Sequence, residues 1–268
     1  MQDTDRAFIG SIPALYEQYL GPLIFDSYAA DLAQRLTDLQ SGRLLETAAG
    51  TGIVTRVMRA SLADDVEIVS TDLNPAMLDF AQTRPTSGIE WQQADACLLP
   101  FDDASYDAIV CQFGVMFFPD KAKGYAEARR VLRPGGRLLF NVWDGLQAND
   151  FARLVHQSVA ARFPNDPPGF LARVPYGYHD SQTIEAALRQ AGFRTVTVEA
   201  VEQRSRASSP SEPALGFCQG TPLRNEIEAR DPTGLEGATE AAASALADSF
   251  GPGPVEGRIR AYVVEARP

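Results

Sequence analysis

The 268-residue chain carries 24 Lys and Arg against 35 Asp and Glu, a net charge of −11, and 45% of it is hydrophobic. That composition suits one large α/β domain with insertions, or a domain plus a small lid, and disfavours nucleic acid or an anionic membrane as the main partner. Cys97, Cys111 and Cys218 form no CxxC pair and have no His nearby, which argues against zinc, so no metal is expected and a reducing compartment is.

Residues 1 to 10, with Asp3, Asp5 and Arg6, lack the apolar core of a signal segment. Residues 8 to 39 alternate at helical spacing, broken by Pro13 and by Gly21-Pro22. Tyr16 and Tyr19 share one face, followed by Phe25 and Tyr28; they read as packing of N-terminal helices, or as a cover that reaches into a ligand site.

The apolar run Leu44-Leu45-Glu46 breaks into Thr47-Ala48-Ala49-Gly50-Thr51-Gly52, after which Ile53, Val54, Val57, Met58 and Leu62 recur at helical spacing. This is a strand, a tight loop and a helix, the opening unit of a nucleotide-binding α/β sheet or an ordinary strand-to-helix turn. Gly50 and Gly52 leave no Cβ where a ligand must touch backbone. Glu67 to Asp72 reads as a second strand ending in an acid, and Asn74-Pro75 starts a helix through Met77, Leu78 and Ala81. Asp72 stands where an acid can accept both ribose hydroxyls of a nucleoside.

Ile89 to Asp95 is the third strand candidate and Tyr106 to Gln112 the fourth, a buried parallel-type strand. The apolar stretch Ala108 to Phe118 is interrupted by Gln112 and too short to span a bilayer, so a soluble cytoplasmic protein without a membrane span is expected. Residues 120 to 132 form a helix stopped by Arg133-Pro134-Gly135-Gly136, and Arg137 to Trp143 is the fifth strand. The alternation argues for right-handed crossovers and a doubly wound sheet.

Beyond Trp143, Asn149-Asp150 should cap a helix to about Phe163, a second helix is expected from Ser181 to Ala191, and Pro164 to Gly169 reads as a proline-rich loop. Thr195 to Val201 and Arg258 to Ala266 alternate as strands, an antiparallel edge pair around a helical insertion, Ser208 to Gly257. The expected domains are 1–40, an N-terminal helical cap; 41–206 with 258–268, the core; and 207–257, a helical lid.

With these segments in place the chain resembles the class I S-adenosylmethionine-dependent methyltransferases, most of all the ubiquinone/menaquinone-biosynthesis type and its small-molecule relatives. The likeness rests on Leu45 to Gly52, Thr71 to Leu78, Gln93-Ala94-Asp95-Ala96 with Leu99-Pro100-Phe101, Tyr106 to Val110, and Arg130 to Leu138, in the family's order across about residues 43 to 143. It implies a Rossmann-like seven-stranded sheet with the last strand antiparallel, and methyl transfer from S-adenosylmethionine to a small-molecule acceptor at O, C or N. A non-catalytic S-adenosylmethionine-binding sensor or partner subunit shares the same motifs.

The resemblance also implies site residues. Glu46 and the backbone of Ala48 and Gly50 would hold the methionine end, within the loop that includes Thr51 and Gly52. Asp72 would grip the ribose, with Leu73 and Met77 against adenine or ribose, and Asp95 and the Ala96 N–H would meet the adenine. Gln112 would sit beside the sulfonium, and Tyr16 would reach in from the N-terminal helices. The family's usual first loop glycine is Ala48 here. Tyr19, Phe113, Phe117, His156 and Tyr178 fall where the family places the acceptor, and His179 is the candidate base if the acceptor must lose a proton. A monomer or homodimer is expected. A nicotinamide fold fits poorly because position 55 is Thr55, and an arsenite-type enzyme would need clustered cysteines.

Overall fold

The central strands are built from runs of residues that tolerate burial on both faces. Val66–Asp72 (β2) and Tyr106–Gln112 (β4) are buried almost throughout, as parallel strands covered by helices must be. A computed structural model describes Asp5 and residues 8–84 and 86–268; residues 1–4, 6 and 7 of the expected N-terminal cap lie outside the described residues. The chain forms two compact units, Asp26–Val142 with His179–Val201 and Ala261–Pro268, and Met1–Phe25 with Trp143–Tyr178 and Glu202–Arg260.

The first unit holds most of the sheet. Asp26–Gln34 (α2) precedes Gly42–Glu46 (β1), Ile53–Ser61 (α3), β2, Pro75–Gln82 (α4), Ile89–Gln93 (β3), β4, Lys121–Val131 (α5) and Leu132–Trp143 (β5). Ser181–Gln190 (α8) leads into Thr195–Ala207 (β6), and Val255–Arg267 (β7) closes the chain. The seven strands run in the order β3-β2-β1-β4-β5-β7-β6, the first five parallel and the last antiparallel. Alternate residues of β6 from Thr195 to Val201 are exposed, as befits the outermost strand.

Local chemistry sets most boundaries. The Asn74 side chain caps α4 by accepting from the Ala76 N–H at 3.0 Å, with Pro75 in the first turn. Asp120 accepts from Lys123 N–H at the start of α5, and Asp180 from Gln182 N–H at the start of α8. α8 ends at Gly192, whose φ of +96° favours glycine.

Three expectations are corrected. Gly21-Pro22 does not break the N-terminal helix, because Tyr16–Phe25 winds as a π-helix that includes Pro22; a wider turn absorbs the missing N–H. Arg133 to Gly136 is not a loop before the fifth strand. β5 begins at Leu132 opposite Tyr106, and the register slips before Ala108 meets Arg137, so the Pro-Gly-Gly stretch is a bulge. Asn149 does not cap its helix; its amide spans Asp144 O and Arg260 N–H instead.

The second unit is mainly helical: Ile12–Leu15 (α1), Asp150–Arg162 (α6), Phe170–Arg173 (α7), Ser211–Gln219 (α9), Leu223–Arg230 (α10) and Leu235–Phe250 (α11). Here α11 packs on α6 and α9, and α9 on the π-helical segment. Glu226 on α10 accepts from the Gly169 and Phe170 N–H groups and from Arg173, which also reaches Asp5. Residues 26–40, expected in the cap, pack with the sheet: Tyr28, Leu32 and Leu36 are fully buried, and Tyr28 donates to Val201 O at 2.9 Å. Residues 143–178, expected in the core, pack with the helices. No helix among the described residues is long and apolar enough to cross a membrane.

Candidate functional site

The loop after β1 is held from three sides. Thr47 N–H donates to Val110 O on β4, and Ala49 N–H to Thr71 O on β2, both at 2.9 Å. Gly50 N–H donates to Asp72 Oδ2 at 2.8 Å, while Asn74 N–H donates to Asp72 Oδ1 at the same length. Ala48, Gly50 and Gly52 all have positive φ, at +54°, +57° and +78°. For Gly52 this is obligatory on two counts, since a Cβ there would stand 2.8 Å from the Trp91 ring. At Gly50 a Cβ would meet nothing within 4 Å, so the backbone there borders open space.

Ala48 is an L-residue in a left-handed conformation, and its methyl makes a demand on the chain beyond β4. A Cβ on Gly114 would lie 2.4 Å from the Ala48 Cβ and 2.6 Å from the Cys111 Sγ. Gly114 is therefore a glycine because of Ala48 and Cys111.

Beneath the loop, Glu46 is 1% exposed. Its Oε2 accepts from Thr55 on α3 and, at 2.8 Å, from Ser70 on β2. Burial pushes the carboxyl up to about 7, against the two hydroxyls that favour its ionised form and together with the neighbouring charge of Asp72. Burial pushes Asp72 up as well, opposed by its bonds to the Asn74 and Gly50 N–H groups. Through its Oε2, Glu46 ties β1, α3 and β2 together.

The other strand ends complete the same edge of the sheet. Asp95, half-buried, accepts from Cys97 N–H at 2.8 Å, and Ala94 N–H donates to Asp72 O, which ties the ends of β3 and β2. Leu73 is 43% exposed and Met77 is buried. Thr51 Oγ1 and Gln112 Oε1 are buried without a hydrogen-bond partner. Phe113 follows Gln112 at a φ of +49°, edge-on to Tyr28, and Phe117 lies half-buried in the short Val115–Phe117 turn. The sheet unit therefore brings together the loop, Asp72, Asp95, Ala96, Gln112 and Phe113 at the carboxyl ends of the parallel strands, where open α/β sheets bind ligands.

His179, also in this unit, is exposed beside the capping Asp180. The remaining expected residues belong to the helical unit. Tyr16 stacks on Phe25 with centroids 4.8 Å apart and meets Phe8 edge-on, which is the packing reading of these aromatics. Tyr19 lines a cavity of about 440 Å³ with Gln18, Pro22, Leu23, Arg206 and Glu212. His156 lies on α6 with Nδ1 buried and unpartnered, and burial pulls its imidazole down against the opposing charge of Glu226. Tyr178 is half-exposed.

Sequence reasoning missed Ser70, Gly114 and Asn141. Polar residues inside otherwise apolar strands, Ser70 after Ile68-Val69 and Asn141 after Leu138-Leu139-Phe140, are the signal that could have found two of them. Asn141 is fully buried, and its Oδ1 accepts from Phe113 N–H at 2.9 Å.

A family described as "Methyltransferase domain" matches residues 45–140. A demethylmenaquinone methyltransferase of Deinococcus radiodurans is 34% identical over 165 residues, 57% of this chain and 68% of that one. The ubiquinone/menaquinone biosynthesis C-methyltransferase UbiE of Idiomarina loihiensis is 32% identical over 171 residues, 58% of this chain and 67% of that one. Among solved structures, a Haemonchus contortus phosphoethanolamine N-methyltransferase 2, in complex with phosphomonomethylethanolamine and S-adenosylhomocysteine, superposes with a TM-score of 0.63. That match covers 98% of this chain and 59% of the other at 17% identity, a likeness of fold.

Proposed function

Since the chain belongs to the class I S-adenosylmethionine-dependent methyltransferases, in the branch of the ubiquinone/menaquinone-biosynthesis enzymes, we propose that it methylates a ring carbon of a small hydroquinone-type acceptor. S-adenosylmethionine supplies the electrophilic methyl group on a sulfonium. The observation that carries the site assignment is the set of orphaned or open positions at one sheet edge. Thr51 Oγ1 is a buried polar atom awaiting a partner, and Gly50 borders space that a side chain would fill. These fit a polar, elongated nucleoside better than they fit an empty turn.

In this reading the backbone of Ala48 and Gly50 and the Thr51 hydroxyl hold the methionine end. Asp72 accepts from the ribose with lone pairs left over from Gly50 and Asn74, since each carboxylate oxygen can accept twice. Leu73 and Met77 pack against the nucleoside, and Asp95 with the Ala96 N–H reads the adenine. Glu46 serves from below as a positioning residue, through Thr55 and Ser70. Gln112 orients the reacting groups. Much of the rate then comes from holding acceptor and methyl in line. His179 takes the proton if the acceptor must lose one, and His179→Ala should then lower turnover without weakening cofactor binding.

The reading of the acceptor rests on the relatives named demethylmenaquinone methyltransferase and C-methyltransferase. The test is a methyl-transfer screen with radiolabelled S-adenosylmethionine against quinol, phenol, amine and thiol acceptors, with products weighed by mass spectrometry. Label on the ring carbon of a quinol is expected. Label confined to amines or thiols would overturn the acceptor class.

A further inference from the structure

Gln112 and Asn141 are register partners at the carboxyl ends of β4 and β5, so their side chains leave the same face of the sheet. Each keeps one buried polar atom without a partner: the Oε1 of Gln112 and the Nδ2 of Asn141. The Asn141 amide has only one admissible orientation. Its Oδ1 accepts from Phe113 N–H, and turning it over would set a donor against a donor. A buried acceptor and a buried donor at paired positions of neighbouring strands, both unmade, are costly to maintain unless a ligand completes them.

Sheet order says which ligand. The residues assigned to the nucleoside sit at the ends of β3, β2 and β1, and β4 and then β5 follow on the far side of β1. Asn141 is therefore two strands removed from the loop, on the side away from Asp72. The residues assigned to the cofactor end at Gln112 on β4, and Asn141 lies one strand beyond them.

We propose that Asn141 Nδ2 and Gln112 Oε1 are the polar anchor for the acceptor and select one that presents a ring hydroxyl. The hydroxyl oxygen accepts from Asn141 and its hydrogen goes to Gln112. A single atom that both donates and accepts satisfies the pair, whereas a ring carbonyl or ether pairs with Asn141 alone and leaves Gln112 unmade. The proposal rests on the methyl-transfer reading above and names the feature of the acceptor that the site recognises.

The test uses the full chain saturated with S-adenosylhomocysteine and three probes: 1,4-naphthohydroquinone kept reduced, 1,4-naphthoquinone, and 1,4-dimethoxynaphthalene. Calorimetry should find the hydroquinone bound about tenfold or more tighter than the other two. Asn141→Asp keeps the acceptor for Phe113 N–H but removes the donor that all three probes use, so it should weaken the quinone and the ether and leave the preference for the hydroquinone in place. Gln112→Leu removes the acceptor oxygen and should erase the preference. Gln112→Glu keeps that oxygen and should retain it. S-adenosylhomocysteine affinity of Asn141→Asp reports an intact cofactor site and should stay within about twofold of wild type, and thermal melting reports folding of the two Gln112 variants. No preference in the wild type, one that survives Gln112→Leu, or quinone and ether affinities unchanged in Asn141→Asp overturns the proposal. So does a parallel loss of S-adenosylhomocysteine affinity in Asn141→Asp, which would give Asn141 to the cofactor. Failure of the methyl-transfer reading looks different: the wild type would bind no S-adenosylhomocysteine, or would bind it and label none of the acceptors in the screen above.

Discussion

Ala48 and Gly114 show how one residue choice constrains another far away in sequence. An alanine in the left-handed region costs about 1–2 kcal/mol relative to its ordinary conformation, and its methyl occupies the space a Gly114 side chain would need. Gly114→Ala should therefore destabilise the fold by about 1–3 kcal/mol through overpacking. Ala48→Gly alone should be nearly neutral, since relief of strain offsets the extra freedom of the unfolded chain. The double variant should recover part of the loss, with the Cys111 Sγ accounting for the remainder. Urea denaturation of the four proteins measures the coupling, and strict additivity would refute the contact. At Asp72 the two oxygens face two backbone donors, Gly50 and Asn74. Asp72→Asn turns an amide NH₂ toward one of them, which should weaken S-adenosylhomocysteine binding by about 10- to 100-fold, read by calorimetry.

At the scale of elements, Arg130 near the end of α5 fastens the segment before β4. It donates to Phe101 O at 2.7 Å and Leu99 O at 2.9 Å, and pairs with Glu127 and Asp103. Replacing it by Ala should cost about 1–3 kcal/mol and speed hydrogen exchange at the Ala104 and Ser105 amides, which bond the carbonyls of Arg130 and Val131. Unchanged exchange there would mean that the turn holds itself. The same region marks where the sequence was legible and where it was not. The unit β1, loop and α3, the acid ending β2, and the Asn74-Pro75 start of α4 were all readable, because each follows from contacts within a few residues. The π-helical passage through Gly21-Pro22 and the bulge at Arg133 to Gly136 were not, because partners distant in sequence decide them. Residues 143–178 likewise joined the helical unit through packing against α11 and α9, which no local pattern announces. At the site, strand-end residues were visible as a set. That Glu46 faces inward and that Asn141 sits beside Gln112 depend on strand register.

For the molecule as a whole, the buried Glu46 makes folding stability depend on pH in a direction opposite to that of the ion-paired carboxylates. Burial is the largest influence on Asp107 and pushes it up, but Arg133 and the Arg43 N–H outweigh it and the net shift is down; Glu127 is lowered by Arg130. Such groups contribute stability above their unfolded pKa and lose it as pH falls through the folded one. Glu46 is raised from 4.5 to about 7. Between those values the unfolded chain ionises while the folded one stays protonated, so its contribution is complete below 4.5 and is lost as pH rises through 7. A shift of this size corresponds to about 3 kcal/mol once both states are ionised. Glu46→Gln removes the titration and leaves an oxygen for Thr55 and Ser70. Denaturation of the cofactor-free proteins at pH 5 and pH 8 should show the wild type losing more stability than the variant across that interval, by about 1–3 kcal/mol. Parallel curves for the two proteins would mean that Glu46 is ionised in the folded state throughout, and its tie to Thr55 and Ser70 would then be that of a buried charge held by hydroxyls.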